Sequence, residues 1–176
     1  GQKGAYYTMG GDSLRRAFLA SPMPYSRRTS GFGMREHPIL QTMRAHMGVD
    51  YAAPVGTPVI SVADGVVAES SFQGGYGNMV VIQHNANQST AYAHLSRMNV
   101  RKGQTIKQGD VVGAVGSTGL STGPHLHFEF RINGRHVDPL TLAQQVSAEP
   151  ISAALRLQFN QRAEFARSQL MAAAQM

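Results

Sequence analysis

The sequence contains no cysteine. Disulfide bonds, cysteine-ligated zinc fingers and cysteine nucleophiles are therefore excluded together, and any metal site has to be built from histidine, aspartate and glutamate. The sequence also has no apolar run close to the roughly 20 residues of a membrane-spanning helix, and it opens without a signal-peptide pattern. Because the chain begins abruptly at Gly1, we expect it to be part of a longer protein, with any targeting signal and further domains upstream.

Blocks of basic residues are missing as well, although the net charge is +6 and the isoelectric point is near 10.1. Lysine and arginine occur in pairs at most, without the interleaved aromatic residues that stack on bases. We therefore expect no nucleic-acid partner. A cationic surface suits a polyanionic matrix such as a cell wall, although solubility alone explains any single basic pair.

What the sequence does have is a turn-rich globular composition. Hydrophobic residues make up 42% of the 176 residues, with 19 glycines and 8 prolines, which is enough for one domain with a substantial core. From residue 26 to about 140, short β-branched runs separated by turn signals predict a mostly β fold. The predicted strands are Pro58–Ala63, Gly65–Ser71, Asn78–Gln83, Ser89–Leu95, Asp110–Val115, His125–Arg131 and a short strand near His136, with Asn133-Gly134 as a hairpin turn.

Both ends of the chain differ from this β region. Residues 1–25 form a lead-in, with a short predicted helix that ends at Ala20 before two X-Pro pairs. Residues 141–176 are rich in alanine, leucine, glutamine and arginine, and their apolar residues recur at helical spacing. We predict a helix that starts near Ser152 and packs on the β domain, residues 26–140, or on a partner.

Two short motifs combine histidines with carboxylates. In H-M-G-V-D, His46 and Asp50 are four residues apart; in P-H-L-H-F-E-F, strand alternation places His125, His127 and Glu129 on one face. Two neighbouring imidazoles on a sheet each need hydrogen-bond partners and are not easily charged together. A divalent cation resolves this conflict. His46, Asp50 and one histidine of the pair supply the three ligands typical of catalytic zinc, and the other histidine is left to act on water or substrate.

The other histidines have structural or surface positions on the residue pattern alone. His94 ends a predicted strand, where a single histidine is more often structural than catalytic. His37 precedes a proline, His84 opens a polar turn, and His136 lies beside a hairpin. A G-L-S-T-G stretch around Ser121 matches the serine-hydrolase elbow, but a strand rather than a helix follows it, so we reject that interpretation.

Six motifs follow one another along the chain: H-M-G-V-D (46–50), T-P-V-I-S-V-A-D-G-V-V (57–67), G-G-Y-G-N (74–78), A-Y-A-H-L (91–95), G-D-V-V-G-A-V-G-S-T-G (109–119) and T-G-P-H-L-H-F-E (122–129). In order, spacing and residue type they resemble the lysostaphin/LytM-type zinc endopeptidases over roughly residues 26–140. S-G-F-G-M-R-E-H-P-I (30–39) looks more like the Gram-negative-type cell-wall enzymes than the glycyl-glycine endopeptidases. The resemblance implies a twisted, largely antiparallel sheet with a substrate groove along it.

The resemblance implies that His46, Asp50 and His127 bind one zinc ion. It further implies metal-assisted amide hydrolysis in the peptide part of peptidoglycan, which is then the partner. The preferred bond is the cross-link between D-alanine and meso-diaminopimelate, which would make the chain a D,D-endopeptidase. We expect an extracytoplasmic location, in the periplasm or cell envelope, with room for an upstream domain or a regulatory protein as a further partner.

The same resemblance matches His94 and His125 to the two histidines that do not bind the metal. One of them accepts the proton of the attacking water and the other stabilises the developing oxyanion; which does which stays open. Tyr76 and Asn78 match a loop that borders the groove, and we expect them to bind substrate.

Two alternative functions make different demands on the sequence. Degenerate members of the family have lost ligands and serve as wall-binding or amidase-activating modules, whereas every ligand position matches here. A biotinyl- or lipoyl-carrier domain would share hairpin sequences such as 100–104 and 109–113. Such a domain needs an exposed lysine at a hairpin tip between hydrophobic neighbours, and the sequence has none there.

Overall fold

A computed structural model of the chain describes residues 18–23, 27–36, 43–144 and 153–173. These residues form thirteen β-strands, short 3-10 helices at Gly74–Tyr76 and Pro139–Gln144, and one α-helix, α1 (Ala153–Ala173). The strands are β1 (Arg27–Ser30), β2 (Gly33–Glu36), β3 (Met43–His46), β4 (Val49–Ala52), β5 (Pro58–Ile60), β6 (Gly65–Phe72), β7 (Asn78–Gln83), β8 (Gln88–Leu95), β9 (Arg97–Met98), β10 (Thr105–Ile106), β11 (Val111–Ala114), β12 (His125–Ile132) and β13 (Arg135–Val137). The predicted mostly β fold with a C-terminal helix is confirmed.

The main sheet has eight strands. Seven of them follow the order β1-β4-β12-β8-β7-β6-β10, and β13 pairs with β12. All these pairs are antiparallel. β5, β11 and β9 form a second sheet, and β2 pairs with β3. The histidine strand β12 thus lies between β4 and β8, where its backbone is hydrogen-bonded on both sides and its side chains have fixed directions.

Side chains cover both faces of the main sheet. On one face of β12, Leu126, Phe128 and Phe130 are at most 2% exposed, and Phe128 packs against the ring of Tyr92 at a centroid distance of 5.3 Å. A smaller apolar cluster (Met79, Val81, Ala91 and Ala93) covers the other face. Because the burial of each large apolar side chain contributes roughly 1.5–3 kcal/mol, these two layers hold the strands in register.

Strand predictions succeeded where apolar and β-branched residues formed a clear run or alternation between turn signals. β7 has the predicted bounds, and β6, β8, β11 and β12 agree with their predictions within one residue at either end. The predicted turn at Asn133-Gly134 is confirmed by positive φ angles of 51° and 75°. Strands β1 to β4, β9 and β10 were not predicted, because two to four residues are too short to display a period.

The described segment that precedes β1 packs on the β domain. Phe18 and Met23 are buried, and the backbone N–H of Leu19 donates to the carbonyl of Val62 at 2.8 Å. Most of the helix predicted to end at Ala20 lies outside the described residues, and its last three residues are not helical.

Residues 18–145 form one compact unit, and helix α1 belongs to a second one. The helix begins at Ala153, so the predicted C-terminal helix is confirmed, and Leu157 and Phe165 are about two-thirds exposed on it. Among the described residues, no helix combines the length and apolarity that crossing a membrane requires. The division of the chain after residues 25 and 140, and the packing of the helix, stay predictions.

Candidate metal centre

The register of β12 on β4 places His127 directly opposite Asp50. Residues directly opposite in an antiparallel pair have their side chains on the same face, so the imidazole and the carboxylate meet. His127 Nδ1 lies 2.9 Å from Asp50 Oδ1, and both residues are 7% exposed.

His46 reaches the same point from the end of β3. The H-M-G-V-D stretch is therefore a strand, a two-residue turn and a strand, and its i, i+4 spacing is not helical. A side chain at Gly48 would place Cβ 2.4 Å from the carbonyl oxygen of Phe128 and 2.9 Å from Cε1 of His127. Only glycine therefore lets this turn pass directly over the His127 ring.

Three potential ligand atoms form a tight triangle. His46 Nε2 lies 3.1 Å from both Asp50 Oδ1 and His127 Nδ1, which closes the triangle with the 2.9 Å edge described above. The second nitrogen of each ring is engaged elsewhere: His46 Nδ1 contacts the carbonyl of Gly31 at 2.7 Å, and His127 Nε2 contacts Glu129 Oε1 at 3.1 Å. Both outer partners are acceptors, so with a metal ion at the centre each ring would donate outwards and turn a lone pair towards the triangle. These three ligand atoms around one point form a candidate metal site by their donor set.

The electrostatics of the triangle favour a positive charge. Burial alone would raise the pKa of Asp50, but hydrogen bonds from His127 and His46 outweigh it and hold that pKa far below its usual range. Burial lowers the pKa of His127, yet its hydrogen bonds to Asp50 and Glu129 raise that pKa to about 9. The carboxylate is thus ionised, and the surroundings of His127 hold a cation strongly.

His125 and His94 form a second pair beside the triangle, with ring centroids 4.7 Å apart. Each ring is anchored through Nδ1 to a backbone carbonyl at 2.8 Å, that of Gly123 for His125 and that of Thr118 for His94. An Nδ1–H donated to a carbonyl leaves Nε2 as the nitrogen that can act on a ligand. His125 Nε2 lies 3.9 Å from Asp50 Oδ1.

His94 reaches this position through an irregular backbone. Its φ of 59° is in the left-handed region, and it is one of two β8 residues that oppose a single residue of β7, between the pairs Asn78–Leu95 and Val80–Tyr92. This β-bulge breaks the alternation that would put His94 on the Tyr92 face and directs it to the His125 side. Burial, the largest effect, lowers the pKa of His94 to about 4, so the imidazole is neutral at pH 7.

Glu129 was placed on the histidine face by strand alternation, but its importance was missed. Its side chain is fully buried and accepts hydrogen bonds from Tyr76 Oη at 2.9 Å, from His127 Nε2, from Arg131 Nε at 2.9 Å and from His136 Nε2 at 3.1 Å. Burial raises its pKa, but hydrogen bonding to His127 and the charge of Arg131 bring the pKa to about 2, so the carboxylate is ionised. A glutamate between two phenylalanines in a central strand is the sequence signal for such a network.

An open cavity of about 740 Å³ covers the triangle, and Tyr76, His94 and His125 line it. The Tyr76 hydroxyl stays a donor, because burial and the neighbouring Glu129 raise its pKa to about 12. Asn78 is not among the lining residues; its amide donates to the carbonyl of Leu95 at 3.0 Å. The substrate-binding roles of Tyr76 and Asn78 stay predictions.

The remaining predicted positions lie as follows. Ser121 is in the turn that precedes β12, where its hydroxyl contacts His125 Nδ1 at 3.2 Å; the next element is a strand and not a helix. His84 is held by the carbonyl of Asp64 at 2.8 Å and the hydroxyl of Thr90 at 2.7 Å, away from the cavity. His37 lies outside the described residues.

Residues 44–139 match the model of a protein family described as Peptidase family M23. The DD-carboxypeptidase/endopeptidase Mpg of Neisseria meningitidis serogroup B is 53% identical over 126 residues, which are 72% of this chain and 29% of that protein. The Peptidoglycan DD-endopeptidase ShyC of Vibrio cholerae is 46% identical over 140 residues, 79% of this chain and 32% of that protein. The chain thus spans about a third of the length of these curated relatives.

Solved structures agree with the fold. A zinc containing peptidase from Vibrio cholerae superimposes with a TM-score of 0.68 and 41% identity, over 80% of this chain and 44% of that chain. The catalytic domain of the antimicrobial peptidase lysostaphin from Staphylococcus simulans superimposes with a TM-score of 0.63 and 33% identity, over 68% of this chain and 93% of that chain. The lysostaphin/LytM-type fold implied by the motifs is confirmed.

Proposed function

Because this chain belongs to peptidase family M23, we propose that it is the catalytic part of a zinc endopeptidase that hydrolyses peptide cross-links in peptidoglycan. The observation that carries the proposal is the convergence of His46, Asp50 and His127 on one point, with three ligand atoms 2.9–3.1 Å apart. The two curated relatives are a DD-carboxypeptidase/endopeptidase and a peptidoglycan DD-endopeptidase, which supports the substrate class. The match to 93% of the lysostaphin catalytic domain supports a complete catalytic unit within this chain.

The three residues suit a single zinc ion. Ligands at ~2.0–2.1 Å from a tetrahedral zinc ion stand ~3.4 Å from one another, close to the edges of the triangle. Two imidazoles and one carboxylate form a nitrogen- and oxygen-donor set that zinc accepts, and three protein ligands are the number that catalytic zinc sites use. Zinc in such a site supplies Lewis-acid activation of a water molecule and of the scissile carbonyl.

His94 and His125 have the geometry of general acid–base residues. Both are anchored through Nδ1 and line the cavity with their rings, so that Nε2 is the nitrogen left for a proton transfer. The neutral state of His94 at pH 7 suits a proton acceptor. His125, beside Asp50, is then the residue that donates to the oxyanion as the carbonyl becomes tetrahedral.

We propose the bond between D-alanine and meso-diaminopimelate as the preferred target, and an extracytoplasmic location because peptidoglycan lies there. An upstream domain or a regulatory protein is a further proposed partner.

The second candidate function is a non-catalytic wall-binding or amidase-activating module. The intact ligand triangle and the anchored His94–His125 pair favour the enzyme.

The test is digestion of purified cross-linked muropeptides. Dimers with the D-alanine to meso-diaminopimelate bond and dimers with a glycine bridge would be incubated with the protein, with and without a chelator, and the products identified by mass. We expect cleavage of the first substrate alone, loss of cleavage with the chelator, and recovery with zinc. Binding of both dimers without cleavage would favour the non-catalytic module instead.

A further inference from the structure

The carboxylate of Glu129 is fully buried beneath the candidate metal centre, yet it is not one of the three ligands. An ionised carboxylate is among the side chains least often buried, and it stays buried only when its lone pairs are satisfied. Each oxygen of Glu129 has specific donors. Oε1 accepts from Tyr76 Oη and His127 Nε2, and Oε2 accepts from Arg131 and His136 Nε2.

The strands fix this arrangement. Residues 127, 129 and 131 alternate onto one face of β12, and His136 is the register partner of Arg131 on β13. The guanidinium of Arg131 donates to Oε2 through both Nε and Nη2, which neutralises the carboxylate and fixes its plane. Both oxygens therefore face fixed donors, and the carboxylate is not available as a fourth ligand or as a base.

We propose that Glu129 is a positioning residue that sets the orientation of His127, and that Tyr76 assists it. By accepting from Nε2, Glu129 requires His127 to carry its proton on that nitrogen and to direct the lone pair of Nδ1 at the triangle. An acceptor behind a ligating histidine also increases the basicity of the ligating nitrogen. This role rests on the proposed metal site, and it adds to that site a residue that touches neither metal nor substrate.

The role proposed here for Tyr76 differs from substrate binding, which the position of its loop had predicted. Its ring lines the cavity and lies 5.9 Å from the His127 ring, but its hydroxyl donates to Glu129. The 3-10 helix at Gly74–Tyr76 is thereby tied to the carboxylate that holds His127. Loss of this hydroxyl should weaken metal binding rather than substrate binding.

Glu129→Gln tests the role, with Thr90→Val as the matched control. Thr90 is also fully buried, on the neighbouring strand β8, but its hydroxyl contacts His84 and Tyr92 instead of a metal ligand. The affinity of each variant for zinc would be measured by competition with a chromogenic chelator, and kcat and KM at saturating zinc. We expect Glu129→Gln to weaken zinc binding ~10–100-fold, with KM unchanged and most of kcat recovered at saturation. Thr90→Val should keep the affinity of the parent chain.

A spectroscopic readout separates positioning from general damage. In the zinc-loaded protein the Nε2–H of His127 should give an NMR signal protected from exchange with water, and Glu129→Gln, which offers a weaker neutral acceptor, should reduce that protection. Unchanged zinc affinity in Glu129→Gln would overturn the proposal. Unchanged affinity with kcat lost at saturating zinc would make Glu129 a participant in the reaction instead.

A milder variant decides the question if Glu129→Gln does not fold. Tyr76→Phe keeps the carboxylate and its other donors, and we expect a few-fold loss of zinc affinity with KM unchanged. A raised KM with unchanged affinity would return Tyr76 to substrate binding and overturn its positioning role. If His127→Ala also kept the zinc affinity of the parent chain, the metal site itself would be wrong, which distinguishes failure of the proposed function from failure of this inference.

Discussion

His127 and Asp50 are separated by 77 positions in the sequence, yet they face each other across β12 and β4 with Nδ1 and Oδ1 2.9 Å apart. This contact depends on strand register, because a slip of one residue would turn His127 to the opposite face of the sheet. The candidate centre therefore depends on strand pairing, since β4 and β12 of the main sheet supply two ligands and β3, which pairs with β2, supplies the third.

Removal of a ligand should abolish metal binding. We expect Asp50→Asn and His127→Ala to lower zinc affinity by more than the ~10–100-fold typical of outer-shell substitutions, and to reduce cleavage to background. Metal content after dialysis, measured by mass spectrometry, and muropeptide turnover check this. Zinc retained at one equivalent per chain in both variants would mean that the metal binds elsewhere.

His94→Ala should separate metal binding from turnover. His94 lies outside the ligand triangle, so we expect the variant to keep its zinc and to lose ~100- to 10,000-fold in kcat, the range for a general acid–base residue. His84→Ala is the control, since His84 is half-buried away from the cavity and its replacement should leave kcat almost unchanged. Near-normal turnover of His94→Ala, or a large loss in His84→Ala, would contradict the assignment.

Gly116→Ala should disturb the bulge that carries His94. An added Cβ would stand 2.3 Å from the backbone nitrogen of Ser96 and 2.6 Å from the carbonyl oxygen of His94, so the backbone has to move. We expect a loss of ~1–3 kcal/mol in the free energy of unfolding, together with reduced turnover. At Gly123 an added Cβ meets nothing within 4 Å, and Gly123→Ala should cost less than ~0.5 kcal/mol. Equal urea midpoints for the two variants would show that the close approach of Gly116 to the backbone of His94 and Ser96 does not affect stability.

The half-buried His84 should make stability fall in acid. Burial, the largest effect, lowers its pKa from the ordinary 6.5, so below pH 6.5 the unfolded chain binds more protons than the folded chain. The free energy of unfolding should therefore decrease as the pH falls from 7 to 5. His84→Gln removes the titrating group, and its free energy of unfolding should decrease less over that interval than that of the parent chain. Urea denaturation of both chains in the presence of a chelator measures the difference, and parallel pH curves would contradict it.

Strands were predictable where each residue had a clear side of the sheet to occupy. The alternation in 125–132 and the continuous apolar run within 78–83 indicate strands with covered faces, and the glycines and asparagines between the strands indicate turns. The strands of two to four residues that flank His46 and Asp50 carry no such period. Their positions follow from pairing with distant strands, which a local pattern does not encode.

The site was predictable in its composition but not in its geometry. Residue reasoning alone left open which of His125 and His127 is a ligand; the resemblance favoured His127, and the register with Asp50 brings that residue to the triangle. Strand alternation gave no reason to turn His94 towards His125, because that turn depends on a single left-handed residue. Glu129 lay on the correct face, but its donor Tyr76 comes from a loop 53 positions away in the sequence, and its donor His136 comes from the next strand, β13.

The left-handed backbone at His94 has a consequence for protein engineering. For a residue with a Cβ, that conformation costs of the order of 1–2 kcal/mol, and glycine adopts it freely. Glycine at position 94 would relieve that strain, but a variant selected for heat resistance in this way would lose the acid–base group proposed for His94. Any screen for more robust variants of this chain has to score cleavage together with melting temperature.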